Sequence, residues 1–366
     1  MGREWVMRRQ LATGMAAACL FLGCAFAAED GDTAGTERPV ELETFVVSGE
    51  QPGPGLWKVS RGEHVLWVLA AYAPLPKGMT WRSRQMETRI AESQEVLYAG
   101  SANIMPNIGI FRALTLLPAA LKATKIPDGR TLKDVMPPED YAKWLALRLE
   151  YIGKDDDVER QRPAIALEQL RGAIFRKSGL QGGPNVYAIV GEARKKHKIA
   201  RNALPAVSRT VRVENPKGIL KSAQNIDLPD LDCFIRHLDL VEAQVERARE
   251  VANAWATGDI QKLRTLHPPR SLRESIRGEG CAFTLIDAFS EGDTKDAAHM
   301  KKTMADLEWH GEQASLQAQI DWVAAAQKSI GKNVSTFAVL PVADLFRPDG
   351  PLEKLRALGY TVEEPQ

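Results

Sequence analysis

The sequence predicts an α/β fold: a mixed central sheet with an N-terminal hairpin and C-terminal strands, and a largely helical middle region. Two apolar runs on either side of a glycine turn open the folded part of the chain, and a helix and a strand are predicted directly after them. A second strand–helix–strand unit closes the chain, and long stretches with helical periodicity lie between the two units. We therefore expect both ends of the chain to contribute to one sheet.

The opening hairpin is predicted over residues 56–70. Its strands are residues 56–60 and 64–70, and Gly62 in the turn between them is free to adopt a positive φ. Residues 65–69 are continuously apolar, which is typical of a strand covered on both faces. A helix over residues 80–93 and a strand over residues 95–99 then complete an α/β unit.

The middle of the chain predicts helices, and the last of them is the longest. The predicted helices cover residues 111–124, with an interruption near Pro118, then start near residues 138 and 163, and cover residues 185–198 and 239–257. Gly258 is the expected stop of the last one. The closing unit is predicted as a helix over 316–329, a strand over 336–340, a helix over 352–358 and a strand over 360–362.

The composition is that of an ordinary globular protein. The chain has 366 residues, 44% hydrophobic and 26% charged, with a formal net charge of +1. This balance provides no broad positive field, so we expect no nucleic-acid partner.

The first residues predict an export signal. Residues 1–27 contain an arginine-bearing start, an apolar stretch and the small-residue pattern Ala25-Phe26-Ala27 before acidic residues. We expect a signal peptide over 1–27, a flexible leader over 28–54 and one domain over 55–362. The expected location is the periplasm of a Gram-negative bacterium, and the alternative is a lipoprotein anchored at Cys24. No later segment reaches about 18 apolar residues, so no integral membrane span is expected after signal removal.

Two cysteines, Cys233 and Cys281, remain after signal removal. In an oxidising compartment they are candidates for one disulfide. The alternative is two separate buried thiols, because the sequence does not show whether the two Cα atoms approach each other.

Three segments carry a resemblance to a known family. They are Leu56-Trp57-Lys58-Val59, the Trp255–Asp259 segment and the Gly350…Gly359-Tyr360 ending, in this order and at these separations. Together they resemble the TraB/GumN family, whose Tiki-like members are metal-dependent proteases. In that family two buried strands each end in Gly-x-x-His, and a glutamate follows a third strand.

The resemblance implies a divalent-metal site whose ligands are replaced in this chain. Ala70 and Ala73 stand at the first Gly and His positions, Pro341 and Asp344 at the second pair, and Ala99 at or near the glutamate. A metal needs several lone-pair donors, and of these only Asp344 offers one. We therefore expect no metal, no cofactor and no catalytic residue at this site.

Other catalytic or metal-binding patterns are absent from the sequence. It contains no Gly-x-Ser-x-Gly elbow, no phosphate-binding glycine loop and no His-Glu-x-x-His. Asp155-Asp156-Asp157 lacks the spacing of an EF-hand loop and is predicted to be a solvated loop.

The leading hypothesis is therefore an exported pseudoenzyme of the cell envelope that binds or scaffolds a protein or peptide and can form oligomers. The alternative is a divergent hydrolase whose site has moved to Asp344 and Tyr72, with Arg347 as a nearby cation.

Overall fold

The structure is a computed structural model that describes residues 52–180, 183–266, 268 and 280–365. The predicted signal peptide and residues 28–51 of the predicted leader lie outside the described residues.

Strands at both ends of the described chain build one sheet, and strands in its middle extend it. The strands are β1 (Leu56–Arg61), β2 (His64–Ala71), β3 (Glu95–Tyr98), β4 (Ala102–Pro106), β5 (Ala200–Ala203), β6 (Val207–Val211), β7 (Ser335–Pro341) and β8 (Thr361–Glu363). The main sheet has six strands in the order β5-β3-β7-β2-β1-β8, and β4 and β6 form a second, two-stranded sheet.

The main sheet is mixed. Strands β5, β3, β7 and β2 pair in parallel, whereas β1 is antiparallel to both β2 and β8. The hairpin of β1 and β2 forms as predicted, with Gly62 at φ 59° in its turn. The predicted fold class, a mixed α/β sheet with a helical middle, is confirmed.

Helices fill the chain between the strands. The α-helices are α1 (Arg84–Ala91), α2 (Ile110–Ala123), α3 (Leu132–Val135), α4 (Pro138–Leu147), α5 (Pro163–Lys177), α6 (Val186–Lys196), α7 (Pro216–Ala223), α8 (Leu231–Leu238), α9 (Val241–Thr257), α10 (Ile260–Leu266), α11 (Cys281–Ser290), α12 (Lys295–Lys332), α13 (Val342–Leu345) and α14 (Pro351–Ala357). Short helical turns lie at Pro127–Gly129, Arg148–Ile152 and Asp157–Arg160.

Three helix predictions differ from the structure. The longest described helix is α12, with 38 residues, and not α9, with 17; no proline interrupts residues 295–332, so the predicted segment 316–329 is only its C-terminal part. Helix α2 runs through Pro118, which is exposed, so water can satisfy the carbonyl that loses its partner. Helix α1 begins at Arg84, with Ser83 as its N-cap, rather than near residue 80; Trp81 lies before the helix and packs edge-on against Trp255.

Two main apolar cores result. One surrounds the six-stranded sheet and contains Trp57, Trp255 and Trp322. The other lies in the helical middle, where Trp144 and Phe234 meet edge-on at 5.4 Å between ring centroids. Among the described helices, none combines the length and apolar character needed to cross a lipid bilayer.

Candidate functional site

The carboxyl ends of three neighbouring strands meet at one edge of the main sheet. Strand β2 pairs in parallel with β7, with Ala71 opposite Pro341, and β7 pairs in parallel with β3, with Val339 opposite Tyr98. Ligand sites of parallel sheets form at this edge, because the loops that leave adjacent strands meet there. The segments that contain Ala73, Ala99 and Asp344 all begin at this edge, which we call the carboxyl edge.

Ala70, at the first glycine position, is buried, and a core side chain binds its backbone. It is 1% exposed, and its carbonyl oxygen accepts a hydrogen bond of 2.8 Å from the indole Nε1 of Trp255. Trp255 is itself 1% exposed and packs edge-on against Trp81 at 5.0 Å between ring centroids. Helix α9 is thus fastened to the end of β2. Ala73, at the first histidine position, follows this anchored segment and is exposed.

The third position, Ala99, is half-buried against the main core. The next residue, Gly100, has no room for a side chain, because a Cβ there would lie 2.3 Å from the carbonyl oxygen of Pro205. The chain after β3 therefore packs directly on the chain after β5. An acidic side chain is missing at both residues.

The turn after β7 contains the one carboxylate among the family positions, and a buried cation pairs with it. Nη1 of Arg347 lies 3.5 Å from Oδ1 of Asp344, and its Nη2 lies 3.0 Å from Oδ2 of Asp349. The Arg347 side chain is 5% exposed, whereas that of Asp344 is 28% exposed. Burial raises the pKa of Asp344 and Arg347 opposes this shift, while hydrogen bonding to Arg347 lowers the pKa of Asp349.

Two tyrosines also lie near this edge. Burial raises the pKa of Tyr72 to about 12. Burial, and secondly the charge of Asp344, raise the pKa of Tyr187 to about 12. Tyr72 follows β2 and is visible in the sequence as a site residue, whereas Tyr187 lies on α6, and only the three-dimensional structure brings it near the turn after β7.

This set of groups does not fit a divalent cation. Ala70, Ala73 and Ala99 end in methyl groups, and Pro341 offers no side-chain donor, which leaves Asp344 as the single ligand; its carboxylate is already paired with Arg347. One carboxylate does not hold zinc or manganese against water.

Two groups of potential ligands lie within reach of one another elsewhere among the described residues, and neither is at the carboxyl edge. Asp155, Asp156 and Asp157 are all exposed, as expected for a solvated loop. The other group is Cys233, His237 and Cys281.

Cys233 and Cys281 are joined by a disulfide, with 5.5 Å between their Cα atoms. Of the two alternatives that the sequence left open, the structure contains this bridge. It connects α8 to α11 in the helical middle. Nδ1 of His237 lies 2.8 Å from the carbonyl oxygen of Cys233, one turn earlier in α8, and 3.6 Å from each sulfur.

The fold and the carboxyl edge define a class of protein: an α/β protein whose candidate site lies where parallel strands of a mixed sheet end. A family model gives the particular group. Residues 55–364 match the TraB/PrgY/gumN family, and the chain belongs to it. Comparisons with curated proteins and with solved structures found no match.

Proposed function

We propose that this chain is an exported, non-catalytic binding or scaffold protein of the cell envelope, a pseudoenzyme of the TraB/PrgY/gumN family. One observation carries the proposal. The segments that contain the family positions begin at the same carboxyl edge, but these positions lack the side-chain donors that a metal site needs. Strands β2, β3 and β7 keep their parallel pairing there, while only Asp344 ends in a lone-pair donor.

The edge remains well packed although the donors are gone. The hydrogen bond from Trp255 fixes the backbone at Ala70, and Arg347 holds both Asp344 and Asp349. The Arg347 side chain is 5% exposed, and a buried charge without a partner would cost several kcal/mol, so its two ion pairs stabilise the turn after β7. An ordered sheet end of this kind is compatible with a surface that binds a protein or peptide.

The second candidate function is a hydrolase with a relocated site, and the closeness of Asp344, Arg347 and Tyr187 favours it. A general base needs a pKa near the working pH and a free lone pair. A phenol with a pKa of about 12 stays protonated at neutral pH, so neither Tyr72 nor Tyr187 supplies a base. Asp344 remains: burial raises its pKa, whereas Arg347 pairs with its Oδ1 and opposes that shift. We therefore place this candidate second.

Metal binding and peptide hydrolysis, measured together, separate the two candidate functions. We expect the purified chain, dialysed against zinc or manganese, to retain less than one equivalent of metal by elemental mass spectrometry, with no change in Asp344→Ala. Stoichiometric metal that Asp344→Ala removes would refute the proposal. Peptide hydrolysis without bound metal, lost in a folded Asp344→Ala variant, would establish the second candidate instead.

A restored site tests the assignment of the positions. Ala73→His combined with Asp344→His places two imidazoles at the carboxyl edge, so we expect this variant to gain zinc affinity. The matched control is Ala73→His with Val334→His, because Val334 directly precedes β7 and so lies at the opposite edge of the sheet. If both variants bind zinc equally, Ala73 and Asp344 do not share a site.

The proposed location has its own test. Intact mass of the protein from a periplasmic extract is expected to correspond to cleavage after Ala27 or one residue later. A mass that begins at Cys24 with added acyl chains would show the lipoprotein alternative, and an uncleaved chain would exclude both.

A further inference from the structure

The main sheet has an uncovered lateral edge at β5. In the strand order β5-β3-β7-β2-β1-β8, β5 has a neighbouring strand only on its β3 side. Three of its four residues, Ala200, Arg201 and Ala203, are exposed. An edge strand of this kind offers its outward backbone groups to another chain.

The hydrogen bonds to β3 identify which backbone groups of β5 face outward. Leu204, directly after β5, donates its N–H to the carbonyl oxygen of Tyr98 in β3 at 3.2 Å. In a parallel pair, inward and outward backbone groups alternate from residue to residue. Arg201 and Ala203 therefore direct their N–H and C=O groups away from β3. Within the described part of the chain, these outward groups have no hydrogen-bond partner.

Strand β6 continues this uncovered edge. Val207, its first residue, donates its N–H to the carbonyl oxygen of Ser101 before β4 at 2.8 Å, so Ser208 and Thr210 direct their backbone groups away from β4. Both residues are exposed. Among the described residues, only the carbonyl of Ser208 has a partner, Nη1 of the adjacent Arg209 at 3.4 Å. We call the outward sides of β5 and β6 the free edge.

The chain that forms the free edge is strongly basic. Residues 193–213 contain seven lysine or arginine residues and no aspartate or glutamate. Three of these cations are engaged within the protein, since Lys195 and Lys196 pair with glutamates and Arg194 binds the carbonyl oxygen of Ile199. The other four, which we call the edge cations, lie on the two strands or within two residues of them: Lys198, Arg201, Arg209 and Arg212.

The edge cations have no anionic partner in the part of the chain that the structure describes. No carboxylate oxygen there lies within 4.0 Å of a charged nitrogen of any of them. All four are exposed. The guanidinium of Arg201 lies over the ring of Tyr98, 5.8 Å from its centroid, a contact that does not neutralise the charge. The free edge therefore combines unpaired backbone groups with an excess of positive charge.

Another peptide backbone is the partner that fits these groups. The free edge offers both N–H donors and C=O acceptors, and an added strand satisfies both kinds. Phosphate groups of a nucleic acid or a lipid accept hydrogen bonds but donate none, so they would leave the carbonyls unpaired. A second copy of the free edge would bring the edge cations close to like charges, which opposes pairing. The positive charge instead favours acidic side chains on the added strand.

We propose that the free edge binds an extended, acidic peptide segment of a partner protein, which adds a strand beside β5 and β6. The backbone of this segment pairs with the outward groups of Arg201, Ala203 and Thr210, and its carboxylates lie beside the edge cations. The free edge does not contain Ala73 or Asp344. The inference therefore goes beyond the proposed function and holds whether or not the chain is catalytic.

The probe is a fluorescent peptide of six glutamate–valine repeats, as long as residues 200–211. Its anisotropy is measured as the full processed chain is added. We expect binding at low salt that weakens as salt is added. Two control peptides should not bind. One has lysine in place of glutamate, and the other is N-methylated at every residue, so that it keeps the charge but lacks N–H donors.

Proline at an outward position removes a donor from the free edge without removing a hydrogen bond of the sheet. Ala203→Pro and, separately, Thr210→Pro are each expected to weaken binding by roughly tenfold, because an N–H is lost and the ring obstructs the added strand. Ala203→Val keeps the N–H and should bind like the wild type. Thermal unfolding checks that the proline variants remain folded, as expected where the replaced N–H has no partner within the described protein.

A charge series tests the edge cations. Lys198→Gln with Arg201→Gln is expected to weaken binding by roughly tenfold and to reduce its salt dependence. The control is Lys328→Gln with Lys332→Gln, which removes two exposed lysines near the end of α12 and should change binding little.

Three results would overturn the proposal. The first is that the glutamate–valine peptide fails to bind at low salt, whether or not duplex DNA or anionic vesicles bind. The second is that the lysine peptide or the N-methylated peptide binds as tightly as the glutamate–valine peptide. The third is that both proline variants are folded and bind like the wild type, because the peptide would then lie elsewhere on the protein.

Discussion

The hydrogen bond that fastens α9 to the end of β2 has a measurable free energy. In Trp255→Phe, the donor to the Ala70 carbonyl is lost while most of the apolar ring remains. An orphaned buried carbonyl costs about 1–3 kcal/mol. Trp255 is 1% exposed, so the smaller phenylalanine ring leaves a cavity. This cavity adds about 1 kcal/mol to the loss in the free energy of unfolding. We expect a total loss of about 2–4 kcal/mol in the free energy of unfolding.

The partner ring supplies the matched control. Trp81 is 8% exposed and packs edge-on against Trp255, so Trp81→Phe disturbs the same aromatic pair. Its buried Nε1 has no hydrogen-bond partner in the described structure, so that substitution removes no hydrogen bond. The difference between the two variants therefore isolates the hydrogen bond, and we expect it to be about 1–3 kcal/mol.

Urea unfolding followed by far-ultraviolet circular dichroism measures both variants without depending on tryptophan emission. Trp309→Phe, at a residue that is 58% exposed, sets the baseline, within about 0.5 kcal/mol of wild type. Equal losses in Trp255→Phe and Trp81→Phe would refute the reasoning, because the hydrogen bond would then contribute nothing.

Three further predictions concern the turn after β7 and the disulfide. Because burial raises the pKa of Asp344, its ionisation opposes folding; wild type should lose stability relative to Asp344→Asn as pH rises above the ordinary value of 3.8, until the raised folded-state pKa is passed. Replacing Cys233 and Cys281 with serine should cost about 4 kcal/mol for a 48-residue separation, measured by urea unfolding. Gly350→Ala should cost about 1–3 kcal/mol by thermal unfolding, because its Cβ would lie 2.4 Å from the Asp344 carbonyl oxygen.

Each of these predictions has a control with a different sign or no effect. Asp349 has a lowered pKa, so wild type should lose stability relative to Asp349→Asn as pH falls through the folded-state pKa, below 3.8. Reductant should destabilise wild type but leave the double-serine variant unchanged. Gly331→Ala, in α12 with nothing within 4 Å of the new Cβ, should stabilise by about 0.5–1 kcal/mol. A pH dependence of the same sign for Asp344 and Asp349, or equal effects of the two glycine substitutions, would contradict the assignments.

Elements were predicted correctly where the local sequence pattern matches the structure that the element adopts in the folded protein. The apolar run of β2, the glycine turn at Gly62 and the stop at Gly258 all formed as expected, with φ of 59° and 73° at the two glycines. Strands β4, β5 and β6 were missed, because each is short and mostly exposed, without an apolar alternation. Their strand conformation comes from pairing with β3 and with each other.

The candidate site, like the fold, was only partly predictable from the sequence. The resemblance placed Ala73, Ala99 and Asp344 in one site, and this assignment stays a prediction; the parallel register shows that β2, β7 and β3 end on the same side of the sheet. The pairing of Arg347 with two carboxylates needed the folded turn, since proximity in sequence does not fix which carboxylate a guanidinium binds. Tyr187 carried no signal at all, because its approach to Asp344 depends on how α6 packs.

The position of β7 governs the order in which the protein can fold. This strand lies between β2 and β3, although it is made more than 230 residues after β3. Until β7 and β8 leave the ribosome, β2 and β3 each lack a neighbour, and β1 lacks β8. Such unpaired strand edges invite association with other chains, and contacts this distant in sequence form slowly. The nascent chain therefore depends on the late synthesis of β7 and β8, and on protection from aggregation until both strands have formed.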